Sequence, residues 1–177
     1  MEKASILAFI MPYYSEKDIM HNMWHIELVE KAVKRIIEDG KYQIDEESLL
    51  LATYFHGFIY RAEKEIEQWL KAYGYSNEQI RKVMKIAWES QRSEIPETLE
   101  GKILHDAHVL EGGKTYLVVK TLITGSVRGQ TLEKTLEYME KYVLDKNVCY
   151  LPETIPQCDE MNKYTRDFYE TLRDGIQ

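Results

Sequence analysis

Three titratable residues fall on apolar helical stripes, where an uncompensated charge is costly. His25 shares a face with Val29, Ala32 and Ile36, at offsets of four, seven and eleven residues. His56 continues the face of Leu49, Ala52 and Thr53 and precedes Ile59 and Tyr60, while Asp106 aligns with Leu99, Ile103 and Leu110. An ionised carboxylate on such a stripe needs a partner. Two imidazoles and a carboxylate meeting in a helical core would compensate one another by sharing a divalent cation. A facial set of two His and one carboxylate, with open positions left for water, is a recurrent transition-metal arrangement. Each residue also has a plainer explanation. A lone His on an apolar face is more often a hydrogen-bonded core residue, and an Asp near Gly112-Gly113 can be a helix-end group. Spacing alone does not bring three helices together.

The elements that must position these residues are helical almost throughout. Ser15 with Asp18 resembles a capping box opening a first long helix, which carries Ile26, Val29, Ala32, Val33, Ile36 and Ile37 and ends at Gly40. Asp45 can cap a second helix with Leu49, Leu50, Ala52 and Ile59, and a third runs from about Ala62 to Tyr73 and stops at Gly74. Ser76 and Gln79 form a capping box for a fourth, and Pro96 suits the first turn of a fifth that ends at Gly112-Gly113. KTYLVVKTLIT (114–124) fits a strand or a buried helix; with no partner strand in view, helix is favoured. GSVRG (125–129) reads as a glycine-punctuated loop, followed by helices over about Leu132–Leu144 and Asp159–Leu172. The expectation is one all-α domain over residues 1–177, a bundle of about seven to eight helices.

The chain has 177 residues, enough for a real core in one domain. Its formal net charge is -7, from 30 acidic and 23 basic residues, which disfavours an extended nucleic-acid surface but allows a local basic pocket for a small phosphate. No apolar run approaches the roughly 20 residues of a membrane span. The opening MEKASILAFIMPYYSEKD lacks the cleavage site of a signal peptide. Cys149 and Cys158 read better as free thiols than as a disulfide, so a cytoplasmic location is expected.

Several segments together resemble the HD-domain phosphohydrolases, in particular a small bacterial and archaeal branch of that superfamily. HNMWHIELVEKAV (21–33) resembles the family's opening His-bearing helix, with His25 in the place of the first metal ligand. LLLATYFHGFIY (49–60) resembles the helix that ends in the family's paired His-Asp, and IPETLEGKILHDAHVLEGG (95–113) the segment bearing its last metal-binding Asp, which falls on Asp106. GSVRGQTL (125–132) and DEMNKYTRDFYETL (159–172) are similar to the C-terminal part of the branch. The resemblance implies an HD-like helical bundle and a divalent metal (Mn, Fe, Ni, Zn or Mg) held by His25, His56 and Asp106. It also implies a nucleotide or other small phosphorylated molecule as ligand. Two departures stand out. The paired Asp is absent, because Gly57 follows His56, and Glu89 stands where a His is common. Glu89 then offers either a replacement carboxylate or general base, or a solvated helix-end residue. Restoring the pair with Gly57→Asp is expected to raise metal affinity.

The remaining candidates are weaker signals. His21, one turn before His25, can support it from behind. His105 and His108 flank Asp106 but point roughly 100° and 200° away from it, which leaves His108 at most a rim residue. Lys114 and Arg128 are candidates for phosphate binding. Two functions follow: a hydrolase of phosphoesters or anhydrides that uses a metal-activated water, or an impaired relative that binds metal, nucleotide or protein without turnover. A homodimer is left open.

Overall fold

The computed structural model describes residues 3–176. Among them are nine α-helices and no strand: α1 (Lys3–Ser15), α2 (Met23–Gly40), α3 (Glu46–Phe55), α4 (Ile59–Ala72), α5 (Asn77–Glu89), α6 (Leu99–Leu110), α7 (Gly113–Val127), α8 (Leu132–Tyr142) and α9 (Ile155–Ile176). The all-α architecture is as expected, with a larger number of helices.

The first difference is at the N-terminus. Ser15 opens nothing; it closes α1, its hydroxyl donating to the Pro12 carbonyl at 3.1 Å. Asn22 caps α2 instead, its side chain accepting the Trp24 N–H at 2.9 Å. The apolar opening segment is helical because Ile6, Ile10 and Tyr14 recur every four residues, and all three are buried. Burial of each such side chain contributes about 1.5–3 kcal/mol. Phe9 and Tyr13 extend this packing across Phe55, Phe58 and Trp69, with Tyr13 stacked on Phe58 at 4.1 Å.

The local capping signals at Asp45 and at Ser76 with Gln79 do cap α3 and α5. The α6 start falls later than Pro96 suggests: Thr98 is the cap, accepting the Gly101 N–H. Segment 114–124 is helical, and Gly125–Val127 finish that same helix, so the loop reduces to a turn at Arg128 and Gly129. The last helix begins four residues before Asp159.

Two cores result. The larger is built by α1 to α6, where α2 packs on α6, α3 on α5, and α5 on both α4 and α6. The smaller joins α7, α8 and α9 through Val118, Leu136, Met139 and Tyr169. A seam of Leu110, Cys149, Cys158 and Met161 connects α6 to α9, and both cysteines are free and buried there. A cavity lies where these two halves meet. No described helix is long and apolar enough to cross a membrane.

Candidate metal centre

His25 sits in the first turn of α2, placed by the Asn22 cap. His56 is the residue that ends α3; its N–H bonds to the Ala52 carbonyl at 2.9 Å, which sets its ring at the tip of the helix. His108 lies in the last turn of α6. One ligand atom from each of these three rings lies within 4.8 Å of the other two. The three imidazoles form the group that the sequence assigned to His25, His56 and Asp106.

The hydrogen bonds orient all three rings alike. Nδ1 of His25 meets a Glu111 carboxylate oxygen at 2.5 Å, Nδ1 of His56 meets the Thr53 carbonyl at 2.6 Å, and Nδ1 of His108 meets the Ser90 carbonyl at 3.3 Å. Each acceptor assigns the proton to Nδ1 and leaves the Nε2 lone pair free. The Nε2 atoms of His25 and His56 then face each other at 3.2 Å. Two lone pairs at that distance repel unless a cation or a proton lies between them. Burial also holds the rings neutral: it pushes His56 down to about 4, and it drives His25 and His108 well below the ordinary value of 6.5. A cluster of neutral imidazoles anchored through their far nitrogens is a donor set that could hold a divalent transition-metal cation.

Asp106 stands outside this set. It is fully buried, and its carboxylate accepts the N–H groups of Tyr150 and Leu151 at 2.9 Å and the Thr154 hydroxyl at 2.6 Å. It ties α6 to the segment leading into α9. The apolar stripe pointed to Asp106 because α6 is buried on nearly every side, from Ile103 and Leu104 to Ala107 and Leu110. An apolar stripe therefore cannot say which turn looks at the other histidines.

Glu89 is likewise committed to structure. Its carboxylate accepts from the Thr98 hydroxyl and from the N–H groups of Glu97 and Thr98, and Lys85 lies 3.6 Å away. It organises the start of α6 rather than offering a base. His21 bonds to Asp18 at 2.7 Å, so the contact behind His25 comes from Glu111 instead. Lys114 pairs with Glu160 and lies over the Tyr164 ring, away from the cluster. Arg128 reaches Asp18 at 3.4 Å and does line the cavity described below.

Gly57, where the paired Asp is missing, is not an empty position. A Cβ built there would lie 2.6 Å from the Tyr14 hydroxyl, 2.8 Å from its ring and 3.1 Å from the Lys17 ammonium. Lys17 donates to the Gly57 carbonyl, and burial lowers its pKa to about 8. An ammonium and a phenol from the N-terminal region thus occupy the space beside His56.

A cavity of about 340 Å³ adjoins the cluster, with His108 and Glu111 in its wall. Arg92, Lys120 and Arg128 also line it against the one carboxylate of Glu111, a formal excess of two positive charges among the Lys, Arg and Glu side chains. In a chain of net charge -7 this is a local reversal of sign. Nothing in the sequence marked Glu111, Lys120 or Arg92, and His108, expected at most at the rim, is in the wall of the cavity. Only His108 gave a signal, as a second His two residues beyond the chosen Asp.

Comparison with known proteins places the fold without a family. No family model matches the sequence, and no curated protein does. Solved structures do match. Bacillus subtilis YpgQ, determined in complex with ADP, superposes with a TM-score of 0.76 at 15% identity over 99% of this chain and 98% of that one. A Lactobacillus plantarum protein gives 0.79 at 12% identity over 98% and 95%. A Listeria innocua protein gives 0.70 at 22% identity over 99% and 98%. The chain shares the YpgQ-like all-helical fold over essentially its whole length.

Proposed function

We propose that this chain is an HD-type metal protein of phosphohydrolase descent. In this reading His25, His56 and His108 hold one divalent cation beside a cavity for a small phosphorylated molecule, a nucleotide being the favoured class. The observation that carries it is the convergence of three buried imidazoles whose Nδ1 atoms are all anchored, which leaves Nε2 donors facing one another. Three neutral nitrogen donors suit Zn, Ni or Fe; Mg, which prefers oxygen ligands, fits least. The cation would supply Lewis acidity, polarising a phosphoryl oxygen and lowering the pKa of water. Glu111 keeps His25 in the donor tautomer and is itself paired with Lys120. The cationic wall of the cavity supports an anionic ligand, and the ADP complex of the similar YpgQ structure supports a nucleotide.

A second reading, binding without turnover, draws on the carboxylates near the centre, each of which already has partners. Asp106 is held by backbone amides, Glu89 by Thr98, and Glu111 by His25 and Lys120. No group of this kind is poised as a general base.

Metal analysis of the purified protein, with and without zinc or nickel, tests the centre; one equivalent is expected, lost in His108→Ala. A wild type that cannot be loaded by any of these metals rejects it. Phosphate release over a nucleotide panel by the loaded protein then separates the two readings.

A further inference from the structure

Cys149 and Cys158 are the only cysteines of the chain, and neither lines the cavity. They meet in the seam between α6 and α9, beside Leu110 and Met161. Cys149 lies in the connection from α8 to α9, and Cys158 in the first turn of α9. Asp106 holds one part of that connection through the N–H groups of Tyr150 and Leu151. Asn147 holds another, accepting from Arg92 at 2.7 Å and donating to Asn162 at 3.0 Å. Both thiols therefore sit side by side on anchored backbone. The Cys158 sulfur is surrounded by donors: the Cys149 thiol and N–H turn toward it, and Asn162 Nδ2 lies 3.9 Å away. The bonds from Cys149 lower the Cys158 pKa against the opposing effect of burial. Cys149 is pushed the other way, first by its bond to Cys158 and then by burial.

We propose that Cys149 and Cys158 are a peroxide-sensitive dithiol that closes to a disulfide across the α8–α9 connection. Cys158 is the attacking sulfur, and Cys149 resolves it. The Cys158 thiolate attacks one oxygen of hydrogen peroxide; an S–O bond forms, the O–O bond breaks, and hydroxide leaves as water with the proton that Cys158 gave up. Cys149 then attacks the sulfur of this sulfenic acid. The S–S bond forms, the S–O bond breaks, and the Cys149 proton leaves with hydroxide as a second water. The thiols give up two electrons, and peroxide takes them. The oxidant must be small, because Cys149 is 8% exposed and Cys158 only 2%.

Peptide mass analysis of the whole protein, treated with hydrogen peroxide and then alkylated, tests the pair. No Lys or Arg lies between positions 147 and 162, so trypsin releases both cysteines in one peptide, residues 147–163. That peptide is expected to lose two hydrogens and to recover them with dithiothreitol. In Cys149→Ser the Cys158 sulfenic acid is expected to persist and to be trapped by dimedone. In Cys158→Ser the remaining thiol should react with peroxide at least about tenfold more slowly than Cys158 does. Closure also removes freedom from the unfolded chain, so the oxidised protein should have a higher urea midpoint than the reduced one. A peptide that keeps both thiols free, or that gains oxygen without losing hydrogens, overturns the proposal. Equal peroxide reactivity of the two single variants overturns the role given to Cys158. A urea midpoint that fails to rise on oxidation overturns the claim that the thiols are already placed to join.

Discussion

His108 and Asp106 are two residues apart and do opposite work. His108 turns an unprotonated nitrogen toward His25 and His56, whereas Asp106 spends its carboxylate on Tyr150, Leu151 and Thr154. Substitutions should separate the two roles. His108→Ala is expected to abolish metal binding, measured by metal content after loading, with little loss in urea stability. In Asp106→Asn the amide oxygen can keep the Leu151 N–H and the Thr154 hydroxyl, but the N–H₂ then faces the Tyr150 N–H, 3.0 Å from Oδ1, which should cost about 1–3 kcal/mol in urea unfolding. At position 57 the expected gain from Gly57→Asp reverses. The new side chain would meet the buried Tyr14 ring and the Lys17 ammonium, so it must displace α1 before it can reach a metal. We expect a stability loss of about 1–3 kcal/mol, the range for overpacking a core, and no increase in metal affinity by titration.

At the level of elements, the site is a junction of helix ends. The first turn of α2, the tip of α3 and the last turn of α6 deliver the three rings, and α1 packs over the position beside His56. The cavity depends on how closely α7 approaches α8. Gly125 of α7 sits against Thr135 of α8, and a Cβ there would lie 2.6 Å from the threonine methyl and 2.9 Å from its Cβ. Gly125→Val must therefore push α7 away and shift the Lys120 and Arg128 wall. The expected result is ADP affinity lowered by about tenfold or more with metal content unchanged, together with about 1–3 kcal/mol of destabilisation. Retention of full ADP affinity would mean that α7 does not position the ligand.

Across the whole molecule, the acidic surface and the cationic cavity divide the electrostatics, and the buried imidazoles couple the centre to pH. In the unfolded chain His25, His56 and His108 take up protons near 6.5, whereas burial holds His56 at about 4 and the other two well below 6.5. The unfolded state therefore binds more protons in this range, so stability rises with pH there. The contribution is fully present above about 6.5 and is lost as pH falls through about 4, with His56 alone accounting for about 3 kcal/mol. Urea unfolding of the metal-free protein should show a midpoint that drops steeply between pH 6.5 and 4. In His108→Ala the drop should be shallower, because one of the three rings is gone.

Features with a local cause were legible from the chain. Asp45 and the Ser76–Gln79 pair cap their helices because a cap is decided by the few residues around it. The alternation of apolar residues along α2 placed His25 inward for the same reason, since that helix has one buried face. Where a helix is buried on several faces, periodicity loses its power to choose. That is why the apolar stripe of α6 pointed to Asp106 and not to His108. The sequence by itself determined a helical chain, the caps of α3 and α5 and two of the three inward-facing histidines. Only the tertiary structure decided that the third imidazole beside His25 and His56 is His108, that Tyr14 and Lys17 fill the space at Gly57, and that a cationic cavity opens between the two cores. Each of those depends on which faces of separate helices meet, and that is set by packing across the molecule rather than by neighbours along the chain.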